Sequence, residues 1–354
     1  MRPDRRNTPL ARKLKDRIRH DGPMTVEEYM AACLHDPEHG YYRTRTAIGT
    51  HGDFVTAPEI GQVFGEILGL WAAVAWQRMG QPRPCNLIEL GPGRGTLMQD
   101  ALRALRVAPA ALSALRVRLV ETSEPLAALQ RATLASAPVP VTWHTHLQDV
   151  PRAPAIVLAN EFLDAQPTGQ AVWTPDGWRM RGVGTSAAGD LEFVVLAGDG
   201  GVASFEADTG PRRDGEILEI GRQEALMAGL AIVARDGLAG LFIDYGHTHT
   251  GFGDTLQAVR RHSYEHPLCS PGEADLTAHV DFEQAARAAS RNGLTADDPI
   301  SQAEFLGAHG VLERTSRLMA ANPGQAAALE TATARLLAPA GMGTRYHVLG
   351  LGNR

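Results

Sequence analysis

Apolar positions recur along this chain at two periods, and the period changes from region to region. Near the start, Leu10, Leu14 and Ile18 fall at helical spacing, and so do Val26, Tyr29, Met30, Cys33 and Leu34. Thr25 with Glu28 makes a capping box at the head of the second of these helices. A second Thr-x-x-Glu, Thr56 with Glu59, has Pro58 just inside it and predicts a longer helix. Its apolar face would be Ile60, Val63, Phe64, Ile67, Leu68, Trp71 and Val74. Between the two boxes, residues 35–55 are rich in glycine, histidine and tyrosine and read as a loop.

From about residue 81 short apolar runs alternate with helical patterns. A strand ends at Glu89, a helix is expected over 95–106, and a second strand over 117–121. Ser123 and Pro125 open the next helix, and further strands fall near 141–143 and 155–158. This alternation predicts βαβ units and a mostly parallel sheet. Over 169–214 the period drops to two, with Gly, Asp and Pro turns, as expected of an inserted hairpin or small antiparallel sheet. A helix over 220–235 then leads into Leu241-Phe242-Ile243-Asp244, a buried-strand pattern ending in an acid. Later helices begin at Asp281 and Ser301, where Ser301 with Glu304 is a capping box and Ile300 with Phe305 a hydrophobic staple. A closing strand is expected over 346–349. The expected partition is a helical region completing the cleft (1–80), a Rossmann-like core (81–168), a β-rich insertion (169–214) and the return to the core with C-terminal helices (215–354).

Composition narrows the function. The 354 residues are 44% hydrophobic and 21% charged, as in a folded globular enzyme. A net charge of −6 argues against a general nucleic-acid binder. Eight basic residues crowd the first twenty positions, but Asp4 and Asp16 interrupt them and serine is absent. A docked amphipathic helix with a solvated basic face is preferred over a mitochondrial presequence. No run reaches the roughly 18 apolar residues of a membrane span. Cys33, Cys85 and Cys269 are isolated, with neither zinc nor disulfide spacing. The expected compartment is therefore reducing: the cytoplasm, or the mitochondrial matrix in a eukaryote.

The chemistry centres on Glu89-Leu90-Gly91-Pro92-Gly93-Arg94-Gly95. Strand, glycine turn and helix present backbone N–H groups to a bound cofactor, at a spot where Cβ atoms would collide with it. Glu89 tilts the reading. A carboxylate there would repel a pyrophosphate but suits the ammonium of a methionine moiety, and so favours S-adenosylmethionine over a dinucleotide. Glu121, at the next strand end, is placed for ribose hydroxyls. It lies 30 residues beyond Gly91, against roughly 20 for a nicotinamide dinucleotide.

Asn160-Glu161-Phe162-Leu163-Asp164 ends the fourth strand, and Asp244-Tyr245-Gly246 ends another on the same edge, where parallel sheets bind ligands. Helix capping and turn formation compete with a ligand role for Asn160, Asp164 and Asp244. Thr56 and Glu59 have a capping role, while their helix N-terminus also offers N–H donors to a cofactor. His144/His146 and His247/His249 are His-x-His pairs without Asp or Cys partners at ligand spacing, so no metal is expected. Neither a GxSxG nor an HExxH motif is present.

These blocks together resemble the MidA-like family of S-adenosylmethionine-dependent methyltransferases. The resemblance runs from about Leu10 to the C-terminus. It is carried by Gly22-Pro23-Met24, by residues 35–42 (HDPEHGYY), by Gly52-Asp53-Phe54 with Thr56-Ala57-Pro58-Glu59, and by Phe64-Gly65-Glu66. The glycine turn, Asn160 to Ala165, Asp244-Tyr245-Gly246 and Thr277 to Phe282 complete it. Gly61, Leu163 and Gln166 depart from the pattern, where the family more often has Ser, Phe and Leu.

The resemblance implies a class I methyltransferase fold, α/β with an N-terminal helical extension and an inserted β region. It also implies S-adenosyl-L-methionine as cofactor, bound by Glu89, Gly91, Pro92, Gly93, Gly95, Glu121, Thr56 and Glu59. The mitochondrial members assemble respiratory complex I and methylate an arginine of a partner subunit. A protein acceptor is thus expected, with Glu161, Asn160 and Asp53 as catalytic candidates and Asp164, Asp244 and Tyr245 lining the substrate side. The rival readings are a non-catalytic, cofactor-binding assembly factor and an NAD-dependent oxidoreductase.

Overall fold

The computed structural model describes residues 5–44, 56–198 and 212–353. It divides into two compact units. One is drawn from the segments 48–163, 223–248 and 285–354, the other from 1–47, 164–222 and 249–284. The first 80 residues are thus shared between the two units.

The larger unit is built on a sheet of β1 (Cys85–Leu90), β2 (Leu115–Val120), β3 (Val141–His144), β4 (Ala155–Asn160), β5 (Leu238–His247) and β6 (Tyr346–Gly352). Their order is β3-β2-β1-β4-β5-β6. The first five strands are parallel, and β6 runs antiparallel to β5. All six residues of β1 are buried, as expected for a parallel strand covered on both faces. Leu87 sits opposite both Val117 and Ile156. The chain leaves β1 in one direction along the sheet and returns on the other side at β4. That reversal opens a crevice at the carboxyl ends of β1 and β4.

Four helices matter for the site: α1 (Ala57–Ile60), α2 (Val63–Arg78), α3 (Thr96–Ala104) and α4 (Glu124–Thr133). Helices α2 and α3 pack unusually closely. A Cβ on Gly65 would lie 2.7 Å from Asp100 Cβ, and one on Gly69 would lie 2.7 Å from Ala101 Cα. Beside this contact Glu66, wholly buried, accepts from Arg103 Nε at 3.0 Å and from Arg314 Nε at 2.7 Å. Two guanidiniums and the Gln62 amide satisfy a charge that would be costly alone.

Two expectations are corrected here. The helix predicted from Thr56 onward is broken: Gly61 is extended (φ 178°, ψ 151°), separating α1 from α2. The Thr56–Glu59 capping box does not form either, since Thr56 makes no side-chain cap bond. Glu161 Oε1 accepts from the Ala57 N–H instead, at 3.0 Å. A carboxylate at a helix N-terminus is a stronger acceptor than a hydroxyl, so Glu59 is free to turn elsewhere. The second correction concerns 220–235. Ile217–Ile220 is a strand paired with Gly169–Thr174, and the helix is Glu224–Val233.

In the smaller unit, Pro9–Asp21 is a helix that buries Leu10, Ala11, Leu14 and Ile18. Its basic face is engaged in ion pairs, Lys13 with Asp36 at 2.6 Å and Arg17 with Glu28 at 2.7 Å. The Thr25–Glu28 capping box opens the helix Val26–His35, with both reciprocal bonds present. The β-rich region is an antiparallel sheet in the order Met24–Thr25, Gly177–Thr185, Gly169–Thr174, Ile217–Ile220, with Leu191–Val195 also on Gly177–Thr185. Trp173, Trp178 and Phe252 pack together over it. Ser263–Glu265, Gln257–Arg260 and Asp275–Thr277 form a separate three-stranded sheet. Among the described residues no helix is long and apolar enough to cross a membrane.

A candidate cofactor site at the carboxyl edge of the sheet

The glycine turn joins β1 to α3. Gly91, Gly93 and Gly95 all have positive φ (62°, 53° and 81°), which side-chain-bearing residues rarely adopt. Gly91 N–H donates to the Val120 carbonyl at 3.1 Å. A Cβ at this position would meet the Phe162 ring at 2.9 Å. A pocket at this turn is lined by Glu89, Gly91, Pro92, Gly93, Thr56, Pro58, Glu59, Asn160 and Glu161, with Arg94, Thr96 and Leu97 completing it. The structure therefore gathers Thr56, Glu59, Glu89, Gly91, Pro92, Gly93, Asn160 and Glu161, candidates from three separate sequence blocks, around one pocket.

Glu89 is 3% exposed, and its Oε2 has no hydrogen-bond partner among the described residues. Burial, and then the charge of Glu121, push its pKa up to about 8. At the end of the neighbouring strand, buried Asn160 Oδ1 also lacks a partner among the described residues, while its Nδ2 donates to Glu161 Oε1 at 3.1 Å. Two buried, unpartnered acceptor atoms on residues that line one crevice fit a ligand with a cationic, multiply donating head. An α-ammonium is such a group, and a pyrophosphate is not.

Glu121 follows β2 and does not line this pocket. Its Oε1 accepts from Ser123 N–H at 2.7 Å and its Oε2 from Gln130 Nε2 at 3.0 Å. Burial raises its pKa, partly offset by these bonds. The same Gln130 Nε2 donates to the Gly93 carbonyl at 2.8 Å, and Gln130 Oε1 accepts from Trp143 Nε1 at 3.0 Å. Fully buried Gln130 thus ties the glycine turn to Glu121. The sequence did hold a signal: an amide four residues after Leu126, on the buried face of α4.

Glu161 has φ 49°, a left-handed conformation uncommon for a residue with a side chain. Two anchors hold it there. Its N–H donates to the Ile243 carbonyl at 2.9 Å, and its carboxylate receives Ala57 N–H, Asn160 Nδ2 and, at 3.3 Å, the Tyr346 hydroxyl. Strain of this kind concentrates at functional sites. Asp244, 1% exposed, accepts the N–H groups of Phe162 and Leu163 on Oδ2 at 3.1 and 2.9 Å. It organises the turn that carries Asn160 and Glu161. Tyr245 stacks edge-on against Tyr346, ring centroids 5.5 Å apart. Glu59 Oε1 accepts from Thr96 Oγ1 at 2.6 Å, and its Oε2 lies 3.9 Å from Arg94 Nε.

Asp164 belongs to the smaller unit, buried there, with its carbonyl accepting from Ala278 N–H at 3.1 Å. Asp53 lies outside the described residues. Thr96, Gln130 and Tyr346 are participants that the sequence reading missed. No group of three or more His, Cys, Asp or Glu is placed to hold a metal among the described residues.

The strand order, the glycine turn at the switch point and the unpaired acid beneath it define a class I methyltransferase fold with its cofactor crevice. Comparison with known proteins agrees. Residues 67–300 match the family described as "Putative S-adenosyl-L-methionine-dependent methyltransferase". The mouse mitochondrial protein named protein arginine methyltransferase NDUFAF7 is 35% identical, over 97% of this chain and 84% of its own. The Drosophila melanogaster homologue of the same name is 34% identical with the same coverage. A Burkholderia thailandensis protein solved with bound S-adenosyl-homocysteine is similar across 98% of this chain and 92% of its own, with a TM-score of 0.85 and 27% identity. The chain belongs to this family of S-adenosyl-L-methionine-dependent methyltransferases, and the oxidoreductase reading falls away.

Proposed function

We propose that this protein methylates an arginine side chain of a protein acceptor. The observation that carries the proposal is the held carboxylate of Glu161, beside the cofactor crevice and next to the unpaired Asn160 Oδ1. The names of its relatives support the same substrate class.

Bound at Glu89 and the glycine turn, S-adenosylmethionine supplies an electrophilic methyl group on its sulfonium. The chain's own residues do the rest. Glu89 Oε2 would pair with the cofactor's ammonium, and Glu121, braced by Gln130 and Ser123, would accept from its ribose hydroxyls. Thr56 and Glu59 close the rim. Glu161, with Asp53 or Glu59, would receive the acceptor's guanidinium through forked charge-assisted bonds. Asn160 Oδ1 would take a further guanidinium N–H and so orient the nitrogen that is to be methylated. Each methyl gained by that nitrogen displaces one proton, which Glu161 accepts. Asp244 keeps the Glu161 turn in register, while Tyr245 faces the acceptor. Alignment of this kind contributes on the order of 7–11 kcal/mol to such a displacement.

Glu161→Gln tests the assignment. The amide oxygen can still cap Ala57, so the fold and cofactor affinity should persist while methyl transfer is lost. Wild-type turnover by that variant would remove Glu161 from the mechanism. The acceptor we infer is a respiratory-complex subunit, and the compartment is the reducing cytoplasm or the mitochondrial matrix. A purely binding role in assembly is the second reading. It is favoured only by the engagement of both Glu161 oxygens in helix capping and Tyr346.

A further inference from the structure

At the amino-terminal edge of the same sheet, away from the glycine turn, lies a second cavity of about 520 Å3. Arg83, Arg116, Arg118 and Arg152 line it, and among the described residues no Asp or Glu does. Neutral acceptors fix three of these guanidiniums. Arg83 donates to Ser113 Oγ (3.2 Å) and the Ala110 carbonyl (3.0 Å), and lies 5.6 Å from the centre of the Trp76 ring. Arg116 donates to the carbonyls of Leu115 (2.8 Å) and Ser113 (3.3 Å). Arg118 donates to Asn86 Oδ1 (3.2 Å) and Thr142 Oγ1 (2.8 Å).

None of the four makes an ion pair with a carboxylate among the described residues. Acids are not scarce, since the chain has 40 against 34 basic residues. Elsewhere in the same unit, Arg103 and Arg314 share buried Glu66. Arg116 and Arg118 stand two apart on β2, on one face of the strand, and both are half-buried. Burial and the charge of Arg116 hold the Arg118 guanidinium below its usual pKa range. Positive charge is therefore concentrated, oriented and left without a counter-charge.

We propose that this cavity is an anion site for a phosphate-bearing small molecule, separate from the cofactor crevice. Arg116 and Arg118 form its floor, and the more exposed Arg83 and Arg152 its rim. The cavity is within the size range of small-molecule sites. Guanidinium forks match phosphate oxygens, and one phosphate offers acceptors to several forks where a carboxylate offers only two oxygens.

The test is calorimetry on the full chain with the cofactor site saturated by S-adenosylhomocysteine. Inorganic pyrophosphate and adenosine 5′-monophosphate are titrated separately, at low and at physiological salt. Wild type should bind one equivalent, more weakly as salt rises. The Arg116→Gln/Arg118→Gln double variant should bind at least about tenfold more weakly, with unchanged affinity for S-adenosylhomocysteine. Tighter binding of the nucleotide would point to a nucleotide ligand, and tighter binding of pyrophosphate to a free phosphate compound. Should the double variant fail to fold, Arg152→Gln at the exposed rim should weaken binding by roughly threefold. Failure of wild type to bind either anion would overturn the proposal, as would equal binding by a folded variant. Tighter binding of a glutamate-rich peptide would overturn it too, in favour of protein docking.

Discussion

Glu89 offers a sharp test of the cofactor assignment, because its charge state must change when ligand arrives. In the free protein, burial and Glu121 raise its pKa to about 8, so near neutral pH the carboxyl is largely protonated. An ammonium ligand pairs with the ionised form only. Apparent affinity then scales with the ionised fraction, which is roughly 1% at pH 6, 10% at pH 7 and half at pH 8. Affinity for S-adenosylhomocysteine should rise about 50-fold between pH 6 and pH 8, equivalent to about 2.3 kcal/mol. Binding near pH 7 should release close to one proton. Calorimetry in buffers of different ionisation enthalpy reads both quantities. Glu89→Gln should bind weakly, with a flattened pH profile. A wild-type affinity that does not change with pH, or a Glu89→Gln variant with the wild-type slope, would refute the reasoning.

The same residue affects the stability of the free protein. Between its ordinary range and about 8 the native state holds a proton that the unfolded chain has lost, so stability falls as pH rises through that window. The stability advantage of Glu89→Gln over wild type in urea titrations should therefore widen from about pH 5 to pH 8; a constant difference would contradict the burial argument. Gln130→Ala removes the tie between Gly93 and Glu121 and should weaken cofactor binding by about tenfold without unfolding the chain. Gly69→Ala forces a methyl against the Ala101 backbone and should cost about 1–3 kcal/mol in chemical denaturation. Glu66→Ala leaves the Arg103–Arg314 pair without its shared carboxylate and should cost about 3 kcal/mol or more in the same assay.

Much of the site was legible because its residues sit at strand ends, where the hydrophobic period stops and an acid or glycine follows. Glu89, Glu121, Asn160 and Asp244 all announce themselves in this way. What stayed hidden depends on contacts between distant segments. The Thr56–Glu59 box satisfies every local rule for a helix cap, yet Glu161, 104 residues beyond Ala57, takes the capping role and Glu59 turns to Thr96. Tyr346 meets Glu161 only because β6 pairs with β5, bringing together residues 185 positions apart. The strand Ile217–Ile220 was hidden for a related reason. Its four residues are too few to set a period of their own, and only pairing with Gly169–Thr174 separates them from the helix that begins at Glu224. Asp244 was visible as a strand-end acid, but its role as the clamp of the 162–163 backbone was not.

The central claim is that the carboxyl-edge crevice transfers a methyl group to arginine, and identifying the modified residue tests it most directly. The purified chain would be incubated with methyl-labelled S-adenosylmethionine and an extract from cells lacking this protein, and the labelled proteins hydrolysed to amino acids. The account expects label in methylarginine, dependent on the added chain and absent with Glu161→Gln. Label in another amino acid, or none beyond that seen with Glu161→Gln, would contradict it.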